Sequence, residues 1–219
     1  MSGDHNMYQK AKHKNQYVIF GSGGLAKELI GYIEEEGTHE IVCVVSTQPF
    51  NNKRYAAKYP VVESIREGAF PGAEFLLAVA DPDVKPAIVA KNEEGRWGTY
   101  IHESCSISPY AKIGEGCVLA PQVIVTADAW INDFVFMNTN ATVGHDSVIH
   151  AWTTMFPNTE VCGDCVIGVA VIMGIGSYVL PSKQIANRVK ISAGSIVRHD
   201  FKGPVHEGIV LQGNPAAPR

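Results

Sequence analysis

INDFVFMNTNATVGHDSVI (residues 131–149) carries an aliphatic residue or methionine at every sixth place: Ile131, Met137, Val143 and Ile149. Counted outward in sixes, the phase runs unbroken from Ile101 to Val197. Four residues further on the side chain is small, as at Cys105, Ala111, Cys117, Ala141, Ser147 and Cys165; Lys183 is the exception. A six-residue period fits neither a helix nor a plain strand. It fits a solenoid of short strands that turns a corner every six residues, with the aliphatic inside each corner and the small residue beside it. Three sides make a coil of about 18 residues, so five to six coils stack at about 4.8 Å into a prism roughly 25 Å long. Each coil buries its apolar face only against its neighbours. A β-sandwich would slip register at its loops, and no slip occurs.

The chain has 219 residues, 46% of them hydrophobic, enough for one or two domains with real cores. A net charge of −4 and the lack of a basic run argue against nucleic acid as a partner. No apolar run is long enough to span a membrane, and the N-terminus lacks the apolar stretch of a signal peptide, which points to the cytoplasm. Of five cysteines, Cys105, Cys117 and Cys165 fall on small inward positions and Cys43 in an expected strand. They read as buried thiols in a reducing compartment.

Residues 1–16 are polar and aperiodic and read as a tail. YVIF (17–20) reads as a buried strand, followed by Gly21-Ser22-Gly23-Gly24 and a helix through LAKELIGYIEEE. Leu25, Leu29, Ile30 and Ile33 recur at helical spacing, and Gly37 suits the left-handed residue that stops the helix. A strand at IVCVV (41–45), a polar loop and a strand at FLLAVA (75–80) follow. Asp81 and Pro82 read as the N-cap and first residue of a helix ending near Gly95. Alternation of strand and helix over 17–98 predicts a small parallel α/β, Rossmann-like domain. Residues 99–219 form the β-helix with a C-terminal extension, read as lying across the prism after the pattern stops at Val197. Pro181 to Gln184 is expected to open one corner.

Glycines between a strand and a helix let backbone N–H groups approach a phosphate at the helix N-terminus. GSGG lacks the full dinucleotide spacing, because Ala26 stands where the third glycine would be. One nucleotide, or a nucleotide-sugar, is therefore favoured over NAD; a tight turn without ligand is the alternative. Asn138 to Asp146 is the richest polar run on the prism. Val143 points inward, so His145 and Asp146 point outward from a corner. His145 is either a surface residue or a base at an interface, and Asp146 could fix its tautomer and raise its basicity. His145 and His150 could also be two metal ligands, but no third histidine lies in phase, so no metal is expected. His102 and His150 follow inward aliphatics and read as structural.

GSGGLAKELI, AVADP, the unbroken array with NATVGHDSVI, then ISAGSIV and GNPA resemble bacterial nucleotide-amino-sugar acetyltransferases. These are hexapeptide-repeat enzymes of the sialic-acid-O-acetyltransferase-like group. The resemblance covers nearly all of 17–219. It implies a left-handed parallel β-helix that binds acetyl-CoA, an α/β domain that binds a nucleotide-sugar, and a homotrimer with the active site between subunits. It implies His145 as general base, Asp146 orienting it, and Asn138 near the acceptor amine. It places Gly163 N–H near the thioester oxygen, and Ser192, Ala193, Gly213, Asn214 and Pro215 along the cofactor. Gly21, Ser22, Gly23, Gly24 and Asp81 would hold the nucleotide-sugar. The implied reaction is N-acetylation of the 4-amino group of a nucleotide-linked 4-amino-4,6-dideoxyhexose for O-antigen or another surface glycan. O-acetylation of a sialic acid or related sugar is the alternative. Three positions depart from the pattern: Thr154 where some members have a second histidine, Leu25 where some have histidine in the glycine loop, and Ser46-Thr47 where many have an acidic residue.

Overall fold

The computed structural model describes residues 16–51, 53–66, 68–202 and 209–218. The expected N-terminal tail, apart from Gln16, lies outside the described residues. Strand β1 (Gln16–Phe20) leads into helix α1 (Gly24–Glu36), which Gly37 ends in the left-handed conformation (φ 63°) with its N–H on the Ile33 carbonyl. Strand β2 (Glu40–Val45), helix α2 (Lys53–Lys58), strand β3 (Val61–Val62), strand β4 (Glu74–Leu77) and helix α3 (Lys85–Ala90) follow. The four strands form a parallel sheet in the order β3-β2-β1-β4. Helix α2 and strand β3 occupy what the sequence presents only as a polar loop; neither is long enough to show a period.

Three expected bounds are corrected. The FLLAVA strand stops at Leu77, and Ala78 to Ala80 turn away as loop. Helix α3 starts at Lys85 rather than at Pro82, and it ends at Ala90 rather than near Gly95. The reason for the late start is local: the Asp81 carboxylate accepts the Asp83 N–H (2.9 Å) and stabilises a turn in place of a cap. Pro86 then falls in the first turn, where its missing N–H costs least.

From Tyr100–Ile101 to Ile196–Val197 a two-residue strand recurs every six residues. Each pairs in parallel with the strand one coil away, as Phe136 with Thr154 and Met137 with Met155. Three sheets result, and the inward residues Leu119, Met137, Met155 and Met173 on one side, Ile131, Ile149 and Ile167 on another, are wholly buried. The aliphatic is the second residue of each strand, so it lines a flat side, and the small residue packs at the corner. The expectation had the aliphatic at the corner, with the small residue beside it. Every sixth residue from Gly116 to Gly194 adopts a left-handed backbone, with φ between 57° and 68°. The corner at Pro181-Ser182 has this geometry too (Ser182 φ 59°), so it stays closed rather than opening.

The three edges of the prism carry different residues at that left-handed place. One has Asp128, Asp146, Asp164 and Ser182; a second has Gln122, Asn140, Asn158 and Gly176. These types tolerate the conformation. The third has Phe134, Trp152, Ala170 and Arg188, and there packing decides. Phe134 stacks on Trp152 (centroids 4.5 Å apart), and Trp97 from the α/β lobe meets Phe134 edge-on. Leu29, Ile30 and Ile33 of α1 bury against the adjacent flat side, at Tyr100, Val118 and Phe136. His102 meets Tyr32 edge-on and accepts the Ser104 N–H, a structural role as expected.

The C-terminal segment does not lie across the prism; it prolongs it. Phe201 bridges to Ile185, and the strand Val210–Gly213 pairs with Lys190–Ile191 before folding back on the strand Ala216–Pro218. An open last coil would leave a row of unpaired backbone groups, and these strands cover it. All five cysteines are free; Cys43, Cys117 and Cys165 are buried, and Cys105 and Cys162 half-buried.

Inside the prism, Thr159 and Ser177 stack one above the other with no hydrogen bond to their buried hydroxyls among the described residues. An unsatisfied buried hydroxyl costs more than a methyl in the same space. Thr159→Val is expected to raise stability by about 1 kcal/mol in urea unfolding, with Val123 in the same column showing that the shape fits. An unchanged or lower midpoint would show that the hydroxyl is satisfied.

Candidate active site

The C-terminal ends of β1, β2 and β4 converge where the chain crosses from one side of the sheet to the other, the usual place for a ligand crevice in such sheets. Gly21 (φ 122°) passes so close to the neighbouring loop that a Cβ would lie 2.6 Å from the Ala78 carbonyl oxygen. No other residue type fits there. Gly23 and Gly24 face open space, and no side chain caps α1. The Ser22 hydroxyl is held by Ser46 Oγ (2.9 Å) and by the Gln48 carbonyl, to which it donates (2.6 Å). It locks the glycine loop to the end of β2. Ser46, at the position where the resemblance leads one to expect an acid, is thereby built into the loop. Asp81 is exposed on the facing loop.

His145 and Asp146 form the turn after the inward Val143, and both side chains are exposed (61% and 55%). The ring Nδ1 lies 2.7 Å from Asp146 Oδ2. With Nδ1–H donated to the carboxylate, Nε2 keeps its lone pair. A Cβ on Gly163, one coil on, would sit 2.5 Å from that Nε2 and 2.6 Å from Cε1. The imidazole therefore lies flat over Gly163, and only glycine leaves it that room. Asp164, the residue one coil on from Asp146, completes a carboxylate pair around the ring. The hydrogen bond to Asp146 raises the His145 pKa above the ordinary value; desolvation opposes it, and the charges of Asp146 and Asp164 add to it. The ligand atoms of His145, Asp146 and Asp164 lie within 4.8 Å of one another, and His150 is not among them. Asp164 went unnoticed in the sequence, although its distance from Asp146 is one full coil.

The other site residues divide by edge. Gly163 shares the His145 edge. Asn138, Ser192 and Ala193 line the next edge, and Gly213 N–H joins them by donating to Ser195 Oγ (3.1 Å). Asn214 and Pro215 form the turn that follows. Asn138 is buried, its side-chain Oδ1 accepting the Thr139 N–H (2.6 Å). Within one copy of the chain, Asn138 and His145 therefore stand on different edges and do not meet. The Ala80 to Lys85 loop, which carries Asp81, lies against the third edge.

No protein-family model matches the chain. A UDP-3-O-acylglucosamine N-acyltransferase of Herminiimonas arsenicoxydans is 33% identical over 113 residues, which take in 52% of this chain and only 32% of that protein. A GDP-perosamine N-acetyltransferase of Escherichia coli O157:H7 is 24% identical over 214 residues, covering 92% of this chain and 95% of that protein. Among solved structures, a perosamine N-acetyltransferase from Caulobacter crescentus, in complex with CoA and GDP-perosamine, superimposes with a TM-score of 0.80 at 26% identity. That likeness covers 94% of this chain and 97% of the other. An unbroken stack of six-residue coils, a parallel N-terminal sheet and a likeness that runs almost end to end lead to one reading: the chain is an acetyltransferase built on a β-solenoid, similar along nearly its whole length to nucleotide-sugar N-acetyltransferases.

Proposed function

We propose that this acetyltransferase moves the acetyl group of acetyl-CoA onto the 4-amino group of a nucleotide-linked 4-amino-4,6-dideoxyhexose. One observation carries the reading: an exposed imidazole is fixed by a carboxylate through Nδ1, with Nε2 free above a glycine. An amine attacking a thioester must lose a proton as the C–N bond forms, and Nε2 is placed to take it. Asp146 holds the ring and favours the imidazolium that results. Gly163 N–H is then the donor to the oxyanion. The thiolate of CoA leaves as the tetrahedral intermediate collapses.

The crevice between Gly21–Gly24 and Asp81 takes the nucleotide-sugar, in a Rossmann-like lobe over 17–98. Ser192, Ala193, Gly213, Asn214 and Pro215 take the cofactor along a left-handed coil over 99–219. Because crevice, imidazole and cofactor residues lie on different edges of one prism, the active site is read as forming between copies in a homotrimer. Outward side chains on the two flat sides that meet at the His145 edge support an interface there: Trp130 is 48% exposed, and Ile124 and Tyr178 are 38% exposed. Asn138 would approach the acceptor amine across it. Among the described residues no helix is long and apolar enough to cross a membrane. The reaction is placed in the cytoplasm, where acetyl-CoA is made, and its product in O-antigen or another surface glycan.

The test is thiol release from acetyl-CoA in the presence of GDP-, UDP- and dTDP-linked 4-amino sugars. Release with one of them, and an N-acetylated product by mass, is the expected result. No release with any amino acceptor, but release with a hydroxyl-bearing sugar acid, would move the reading to O-acetylation.

A further inference from the structure

Lys85 is the one charged side chain among the described residues that is almost fully buried, 1% exposed. Its ammonium donates to Thr154 Oγ1 (2.9 Å) and to the main-chain carbonyls of Phe134 (3.2 Å), Trp152 (3.3 Å) and Thr153 (3.4 Å). Phe134 and Trp152 are left-handed corner residues one coil apart, and neither carbonyl takes a backbone N–H among the described residues. Buried carbonyls need donors, and a lysine from the other lobe supplies them. The cage contains only acceptors, so it fits the charged amine. Burial pushes the Lys85 pKa down to about 7, with Cys117 and Asp81 opposing.

Thr154 joins this cage to the crevice. Its hydroxyl accepts from Lys85 and donates to the Ala80 carbonyl (2.6 Å). Ala80 and Lys85 are the two ends of one loop, so a single threonine on the prism closes a ring around Asp81, Pro82, Asp83 and Val84. Arg188 pins the middle of the loop from the same edge, at 2.7 Å from Asp83. The glycine-loop wall is fixed separately, by Ser22 and Ser46.

We propose that Lys85 is a positioning residue for the nucleotide-sugar: with Thr154 it clamps residues 80–85 to the prism and so sets the crevice wall that carries Asp81. The inference rests on the acetyl-transfer reading above. It also assigns a role to Thr154, which stands where some members of the family that the sequence resembles have a second histidine.

The test uses the full-length protein and the variants Lys85→Met, Thr154→Val and Thr154→Ser. GDP, UDP and dTDP are titrated calorimetrically to find the nucleotide that the wild type binds. KM for its amino-sugar conjugate is then compared with KM for acetyl-CoA. Losing a hydrogen bond to a charged group is expected to raise Kd for the nucleotide and KM for the conjugate about tenfold in Lys85→Met and Thr154→Val, with KM for acetyl-CoA changed less than about twofold. Thr154→Ser keeps the hydroxyl and is expected to restore wild-type values. Should Lys85→Met fail to fold, the contrast between Thr154→Val and Thr154→Ser decides. Unchanged nucleotide affinity in folded Thr154→Val, equal losses for both substrates, or a Thr154→Ser as weak as Thr154→Val would each overturn the clamp while leaving acetyl transfer standing. A wild type that binds no nucleotide and releases no thiol would overturn the transfer reading, and the clamp with it.

Discussion

His145→Ala is expected to lower kcat for acetyl transfer about 10^3-fold, the scale of a lost general base, while CoA binding is retained. The side chain is 61% exposed, over the Gly163 backbone and beside Asp146 and Asp164, so the fold has little to lose. The pH profile gives a second readout. A base works only when neutral, so kcat/KM must fall as the medium is acidified through its pKa. The bond to Asp146 raises that pKa, and Asp164 adds to the rise. The acidic limb of the wild type is therefore expected at higher pH than an unpaired histidine would give. Asp164→Asn removes one carboxylate without touching the bond to Nδ1, so the limb should move to lower pH with the plateau rate nearly kept. Asp146→Asn should move it further and lower the plateau as well, because the ring loses its holder. Retained activity in His145→Ala, or a limb indifferent to both aspartates, would remove the imidazole from the mechanism.

Gly163→Ala is expected to reduce kcat about 100-fold, the cost of displacing a catalytic group by roughly an ångström. The added methyl would lie 2.5 Å from His145 Nε2. What gives way is the tip of an exposed side chain rather than backbone, so thermal unfolding should scarcely change. The ring would be lifted off the turn and its Nε2 turned from the position that Nδ1 and Asp146 define. The mutant pH limb should stay near that of the wild type, since the carboxylates remain. Full activity in a folded Gly163→Ala would mean that the resting orientation of the ring is not the working one.

The prism could be read from the sequence because each coil repeats one physical requirement, and one slipped residue would turn every Ile, Val and Met outward. The outward His145-Asp146 turn follows from Val143 by counting. Counting could have gone further. Asn138 and His145 are more than one side apart, so their separation onto different edges was available, as was Asp164 in step with Asp146. Other features had no periodic signal. Lys85 looks like any solvated lysine at a helix start until the lobe and the prism are docked, because its partners are backbone carbonyls, which every residue has. Helix α3 began late because one carboxylate chose a turn over a cap. The strands at Phe201 and Val210–Gly213 are set by an exposed coil end rather than by their own composition.

The left-handed residue that recurs at the corners from Gly116 to Gly194 makes the shaft a notched gauge. Its length can change only by whole notches, each adding or removing about 4.8 Å; any smaller step would expose the apolar interior. Deleting one complete coil between Asp164 and Ser192 would therefore slide Gly213 toward His145 by a single increment and leave both ends otherwise as they are. A lineage needing to accommodate a longer or shorter thioester arm could do so by duplicating or losing such a unit, without redrawing the chemistry at either end.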